Sequence, residues 1–395
     1  MRVLLIDVNC KYSSTGKIVY SLYQAARANG DEAAICYGRG PLINEENIYR
    51  FSPLAEVYVH ALLTRITGLT GCFSPLATRN LIRYMEQYRP DVVHIHELHA
   101  YFVNLAPIIS YLKEKHIPTV WTFHCEFMYT GKCGHSYECE KWKTGCGHCP
   151  RLKDYPSSLL FDKTHRMWEQ KKYLLKDLDF SIAVPSKWVA DRVKKSFLQD
   201  KPVQVIYNGL DTDTFHYYSS EELRNQLHIK GQKIVVHITP DFYSAVKGGQ
   251  HVIRMAKQFP DVIFFIIGSE AKGNDIPENC FFIGRIANQN LLAQYYALGD
   301  VCLLTSVRET FSMVCAESLC CGTPVVGFKS GGPETIALPE YSVFVDQGND
   351  EALAVAMRDM LQKSYDKKAI SNRAVAVYGQ EIMCQNYRDL YYSIL

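Results

Sequence analysis

Two glutamates with seven residues between them, Glu309 and Glu317, bracket a stretch able to hold an anion. Glu309 closes the loop after an apolar run at 301–304, and Glu317 falls about one turn into a helical pattern at 313–320. The amides of Phe311, Ser312 and Met313 then lie at a helix N-terminus, where unbonded N–H groups and the helix dipole favour a diphosphate. Gly331 and Gly332 allow a second close approach of backbone to ligand. A carboxylate beyond such a phosphate site suits a ribose diol. A different chemistry resides in five of the 14 cysteines, Cys125, Cys133, Cys139, Cys146 and Cys149. The last four read C-x5-C-x6-C-x2-C, with His135 and His148 interleaved. Four thiolates can close a tetrahedral zinc site. Free or redox-labile thiols and disulfides are the alternatives. The other nine cysteines are scattered and read as small hydrophobes.

These groups need strands and helices to carry them. Short apolar, β-branched runs recur at 3–8, 92–96, 119–124, 180–184, 203–207, 234–238, 262–267, 280–283, 301–304, 324–328 and 343–345. Helix-period segments such as 18–29, 291–297 and 313–320 lie between them. Continuous apolar strands alternating with helices imply parallel sheets buried on both faces. Eleven strands exceed one ordinary open sheet, so the sequence predicts an α/β protein with two doubly wound, Rossmann-like domains. Turn chemistry at Tyr207-Asn208-Gly209-Leu210-Asp211 sets the expected domains at 1–207 and 208–370, with a helical tail at 371–395 that packs on either domain. Between two such domains the expected ligand site is a cleft at the carboxyl ends of the strands.

Composition agrees with this architecture. A chain of 395 residues exceeds what one core usually organises, and 47% hydrophobic with 21% charged residues excludes disorder and fibrous repeats. A formal net charge of +2 argues against a dedicated nucleic-acid binder. The first apolar run ends at Asp7, too short for a signal-peptide core, and no stretch reaches the ~20 apolar residues of a spanning helix. The expected compartment is the cytoplasm, where clustered cysteines signify metal or chemistry more often than disulfides.

The ordered set in the second half is more specific than any of its parts. It comprises Asn208-Gly209-Leu210-Asp211, Lys247-Gly248, Gly284-Arg285, the Glu309–Glu317 pair, Gly322-Thr323-Pro324-Val325-Val326 and Gly331-Gly332-Pro333-Glu334. This set resembles the retaining glycosyltransferases of family 4, which have the GT-B fold. The resemblance implies that Glu317 holds the donor ribose, Lys247 the donor phosphates, Glu309 the transferred sugar and Arg285 the base. The family commonly places a second basic residue shortly before the lysine. Thr239-Pro240-Asp241-Phe242 stands there instead, leaving phosphate neutralisation to Lys247 and backbone amides. Ser13-Ser14-Thr15-Gly16-Lys17 fails as a P-loop, because the required first glycine would fall at Lys11. Gly16 instead matches the family's loop over the donor diphosphate, the alternative being a plain helix-start glycine. His124, at the end of run 119–124, matches a histidine facing the donor sugar, although Cys125 follows where the family usually has aspartate. His96 sits at another strand end and reads as a hydrogen-bonded structural residue.

The cysteine stretch, through Trp142-Lys143-Thr144-Gly145-Cys146-Gly147-His148-Cys149-Pro150, resembles an insertion at 125–150 in family 4 enzymes of the colanic-acid and capsule type. The implied reaction is transfer from a UDP- or GDP-linked sugar to a saccharide or polyprenyl-diphosphate-linked acceptor in capsular or exopolysaccharide biosynthesis. The chemistry implied is retaining, with negative charge building on the leaving diphosphate. Without a clear second-face nucleophile, front-side attack is expected, and with no Asp-x-Asp motif at a strand end no catalytic metal is expected. Residues 141–176 carry nine Lys or Arg against three acids, and residues 57–73 are largely apolar. A basic surface beside an apolar segment would suit peripheral contact with the anionic inner face of the cytoplasmic membrane. A solvated face plus a buried helix is the alternative. The rival functions are a GT-B nucleotide-sugar epimerase and a non-catalytic nucleotide-sugar-binding assembly subunit.

Overall fold

A computed structural model of the chain describes residues 1–273 and 275–395. It contains two wholly parallel sheets. The first has β1 (Arg2–Asp7), β2 (Glu32–Tyr37), β3 (Ile48–Arg50), β4 (Val92–Ile95), β5 (Thr119–Thr122), β6 (Ser181–Val184) and β7 (Val203–Val205), in the order β3-β2-β1-β4-β5-β6-β7. The second has β8 (Ile234–Ile238), β9 (Ile263–Ile267), β10 (Cys280–Gly284), β11 (Val301–Leu304), β12 (Val325–Phe328) and β13 (Ser342–Val345), in the order β10-β9-β8-β11-β12-β13. Each order reverses beside its first strand, at β1/β4 and at β8/β11. In a doubly wound sheet that reversal opens a crevice beyond the carboxyl ends of the strands.

Burial on both faces explains the continuous apolar runs. In β8, Ile234 and Val236 enter one core while Val235 enters the core on the opposite face, the period-two alternation of a pleated strand. Two strands lie outside the eleven runs, β2 and β3. The first, Glu-Ala-Ala-Ile-Cys-Tyr, lacks a β-branched run and follows a helix end at Asn29, so its fully buried residues merge with the helical pattern. The second is three residues long. Seven of the nine scattered cysteines are buried, as small core residues; Cys72 and Cys384 are half-buried.

The chain divides into two compact units, Met1–Ile206 with Cys384–Leu395, and Tyr207–Met383. The expected tail at 371–395 is therefore split. Its first part stays in the second unit, where Ala374 and Tyr378 join the core. Its last twelve residues belong to the first, where Tyr391 Oη lies 2.6 Å from His94 Nδ1 and Tyr387 Oη 2.9 Å from Thr122 Oγ1.

Candidate active site

In the second unit, loops after the strands at the β8/β11 reversal bring two of the expected residues together. Lys247 Nζ lies 2.7 Å from Glu309 Oε1, both side chains half-buried. The lysine loop is fastened to the end of β11: Thr305 Oγ1 donates to Lys247 O at 2.8 Å, and Val307 N donates to Val246 O at 2.9 Å. Gly248, at φ 69°, approaches so closely that a Cβ there would lie 2.3 Å from Thr305 O. The backbone that carries Lys247 is thus fixed, and its ammonium is oriented by Glu309.

Glu309 is held just as firmly. Its N–H donates to Ser330 O at 3.0 Å, and its carbonyl accepts from Gly332 N at 2.7 Å. A Cβ on Gly332 would lie 2.4 Å from the Thr310 carbonyl, so this glycine is required by the packing of one loop on the other. Gly331 N donates to Glu334 Oε1 at 2.8 Å. Both amides expected to approach a ligand are therefore bonded within the protein. Glu334, also accepting from Ser330 N at 3.0 Å, is the residue that sequence reading missed as an organiser of this loop.

Ser312 caps the helix Met313–Cys320, accepting from Cys315 N at 3.3 Å. Its backbone, at φ 79° and ψ 92°, lies where non-glycine residues are strained, and such strain concentrates at functional loops. Phe311 is buried against Tyr378 and Tyr207. On the same helix, Glu317 Oε2 accepts from Tyr296 Oη at 2.7 Å. Burial, reinforced by that carboxylate, pushes the Tyr296 phenol well above its usual range and keeps it a donor. Arg285 is exposed at the end of β10, the edge strand two places from β8.

The first unit presents a different group. His96 Nδ1 and His124 Nε2 are 2.9 Å apart, with their rings stacked at 5.2 Å. His96 O accepts from Trp121 Nε1 at 3.0 Å, fixing the strand end. Burial pushes His94, His96 and His124 below the usual imidazole range, so all three are neutral near pH 7. Asp7, wholly buried at the end of β1, accepts from Glu97 N at 3.1 Å, and burial pushes its carboxyl up to about 7. Burial alone would raise Glu97 as well, yet the charge and hydrogen bond of His99, 2.6 Å away, hold it at about 2. Glu97, His99 and Cys125 form the one group of potential metal-ligand atoms, among the described residues, that all lie within 4.8 Å of one another. Gly16 opens the helix Ser14–Ala28, its N–H bonded to the Ser13 cap at 2.9 Å.

After β5 the chain enters the cysteine-bearing insertion. Buried Glu126 anchors it, paired with Arg192 Nε at 2.5 Å and accepting from Ser136 N at 2.6 Å. Trp142 forms a small local core with Tyr129 under the Arg192 guanidinium. Cys133, Cys139, Cys146 and Cys149 all line one cavity of about 20 Å³. Of the nine basic residues at 141–176, Lys171 is wholly buried rather than on the surface. The apolar segment after residue 57 is the helix Leu54–Thr67, which exposes Tyr58, Val59, Leu62 and Ile66. Leu159 N donates to Arg65 O at 2.8 Å, setting the exposed Leu159, Leu160 and Phe161 beside that helix end. Among the described residues no helix is long and apolar enough to cross a membrane.

Comparison with known proteins agrees with this architecture. Residues 15–214 match the model for Glycosyltransferase Family 4, and residues 219–376 match that for glycosyl transferases group 1. A protein of Escherichia coli K12 bearing the name colanic acid biosynthesis glycosyl transferase WcaC is 24% identical, with all of both chains covered. N-acetyl-alpha-D-glucosaminyl L-malate synthase of Bacillus anthracis is 24% identical over 50% of this chain and 55% of its own. Among solved structures, sucrose-phosphate synthase of Thermosynechococcus elongatus superposes with a TM-score of 0.69 at 17% identity, covering 100% of this chain and 98% of that one. Anabaena HepE in complex with UDP superposes with a TM-score of 0.67 at 16% identity, with both chains fully covered.

Proposed function

The chain belongs to glycosyltransferase family 4, with the GT-B fold, and from that premise we propose that it transfers a sugar, with retention of anomeric configuration, from a nucleotide-diphosphate sugar. The observation that carries this reading is the Lys247–Glu309 pair, fastened by main-chain hydrogen bonds at the reversal point of the second sheet. In this reading Lys247 and the amides of Phe311, Ser312 and Met313 neutralise the leaving diphosphate. Glu317 binds the ribose diol, and the Tyr296 hydroxyl orients its carboxylate. Arg285 is assigned to the base, and Glu309 and His124 to the transferred sugar. A neutral His124, braced by His96, suits a hydrogen bond to a sugar hydroxyl better than a contact with charge. Gly16, Gly331 and Gly332 shape loops in this reading. The HepE complexes with UDP and UDP-glucose support a nucleotide-sugar donor, UDP- or GDP-linked.

The chemical step is front-side displacement. The bond from the anomeric carbon to the leaving diphosphate breaks as the acceptor oxygen bonds to the same face, and a diphosphate oxygen takes the acceptor proton. The likeness to WcaC supports a place in colanic-acid-type exopolysaccharide synthesis, with a saccharide or polyprenyl-diphosphate-linked acceptor. The exposed apolar face of the helix Leu54–Thr67, with Leu159–Phe161 and basic neighbours such as Lys163 and Arg166, supports peripheral contact with an anionic membrane on its cytoplasmic side. Donor turnover measured with and without a lipid-linked acceptor extract tests the reading. Turnover only with acceptor, and flotation with anionic liposomes at low salt, are expected. Donor consumption that ignores acceptor would favour an epimerase, and binding without turnover an assembly subunit.

A further inference from the structure

We propose that Cys133, Cys139, Cys146 and Cys149 hold one zinc ion as a closed tetrathiolate site that braces the insertion after β5. The four residues line a single cavity of about 20 Å³, room for one atom-sized guest. As four Zn–S bonds form, the thiol protons pass to solvent and the site becomes Zn(Cys)4 with a net charge of −2. No three of the sulfurs are mutually within 4.8 Å in this structure. Coordination therefore draws them together by side-chain rotation inside the cavity.

Two further observations point to thiolates there. The first is hydrogen bonding. Gly131 N donates to Cys146 Sγ at 3.1 Å, and the Arg151 N–H faces the Cys149 sulfur. Main-chain donors of this kind stabilise the anionic sulfur of a metal ligand. The second is charge. Lys132 and Lys171 are almost entirely buried; the Lys132 ammonium donates to main-chain carbonyls, and the Lys171 ammonium donates to carbonyls while lying 3.5 Å from the centre of the Phe127 ring. Lys132 Nζ donates to Leu152 O, Asp154 O and Pro156 O at 2.6–2.8 Å. Lys171 Nζ donates to Phe127 O and Thr130 O at 2.5 and 3.0 Å. Carbonyls satisfy the N–H groups but supply no countercharge, and among the described residues neither lysine forms an ion pair with a carboxylate. Burying a cation without an anion is costly. A dianionic zinc site balances the two lysines, and Lys132 adjoins the ligand Cys133 while Lys171 holds the preceding turn. With every coordination position filled by protein, the ion is structural.

The test does not depend on the transferase reading, because its readout is metal. Full-length protein purified without chelator is expected to carry about one zinc per chain by elemental analysis. Cys146→Ser is expected to lose it, whereas Cys72→Ser, outside the cluster, keeps it. Should Cys146→Ser fail to fold, mercurial titration of the unmodified protein decides the point: zinc is released in step with modification of four thiols. Lys171→Met is expected to release zinc to a competing chelator about tenfold faster. Wild-type protein holding less than about a tenth of an equivalent of zinc would overturn the proposal. So would disulfides among these four cysteines. Unchanged release from Lys171→Met would remove the charge-balance argument.

Discussion

The two sheet reversals share a topology and differ in electrostatics. At β8/β11 the groups are charged and half-exposed: Lys247 meets Glu309 on loops that solvent reaches. At β1/β4 they are buried, with Asp7 pushed up to about 7, His96 and His124 kept uncharged by burial, and the charges of Glu97 and His99 paired with each other. An ammonium in a wet loop can meet a diphosphate at little further desolvation cost. A dry end whose charges are already paired favours uncharged partners such as sugar hydroxyls. In the proposed reading the same fold element supplies an anion site in one unit and a hydrogen-bonding site in the other, and the two differ in burial.

The largest effect expected along this contrast is from Lys247→Ala. Removing the cation leaves Glu309 unpaired and facing a developing anion, so turnover should fall about 100- to 1,000-fold, measured as kcat with saturating acceptor. Next are the two glutamates. Glu317→Ala removes a charged hydrogen-bond acceptor and should weaken nucleotide affinity about tenfold to a hundredfold by calorimetry. Glu309→Ala should lower turnover while changing affinity less, and equal effects on both quantities in both variants would merge roles assigned separately here.

A smaller effect, confined to the first unit, tests the buried side. Asp7 has a folded pKa of about 7 against an ordinary value near 4, so the unfolded chain releases its proton first as pH rises. Stability is therefore lost from about pH 4 upward and fully above about 7. Asp7→Asn keeps an oxygen to accept from Glu97 N. It should stabilise the protein by up to about 4 kcal/mol at pH 8 and by nothing near pH 4, measured by denaturant unfolding. A benefit independent of pH would show that Asp7 is not held neutral.

Much of this was legible beforehand, for physical reasons. β-branched and aromatic runs marked eleven of the thirteen strands among the described residues, while β2 and β3 offered alanines and brevity instead. The Glu309–Glu317 spacing located the loop after β11 and the helix Met313–Cys320. What escaped was whatever depends on burial: Lys171 reads as one more surface charge at 141–176, and Asp7 as the end of an apolar run. Glu334 escaped because its work is to hold backbone amides, which no side-chain spacing advertises. Gly331 and Gly332 were read as a close approach of backbone to ligand, and what the sequence did not show is that the loop bonds their N–H groups itself.

Nucleoside diphosphate binding across the two regions tests the central claim most directly. With one UDP- or GDP-based ligand chosen by thermal shift on the unmodified protein, calorimetry on Lys247→Ala, Glu317→Ala and Asp7→Asn should show affinity reduced at least about tenfold in the first two and unchanged in the third. Equal affinity in all three variants, or a loss confined to Asp7→Asn, would contradict the assignment of the donor to the charged loops of the second unit.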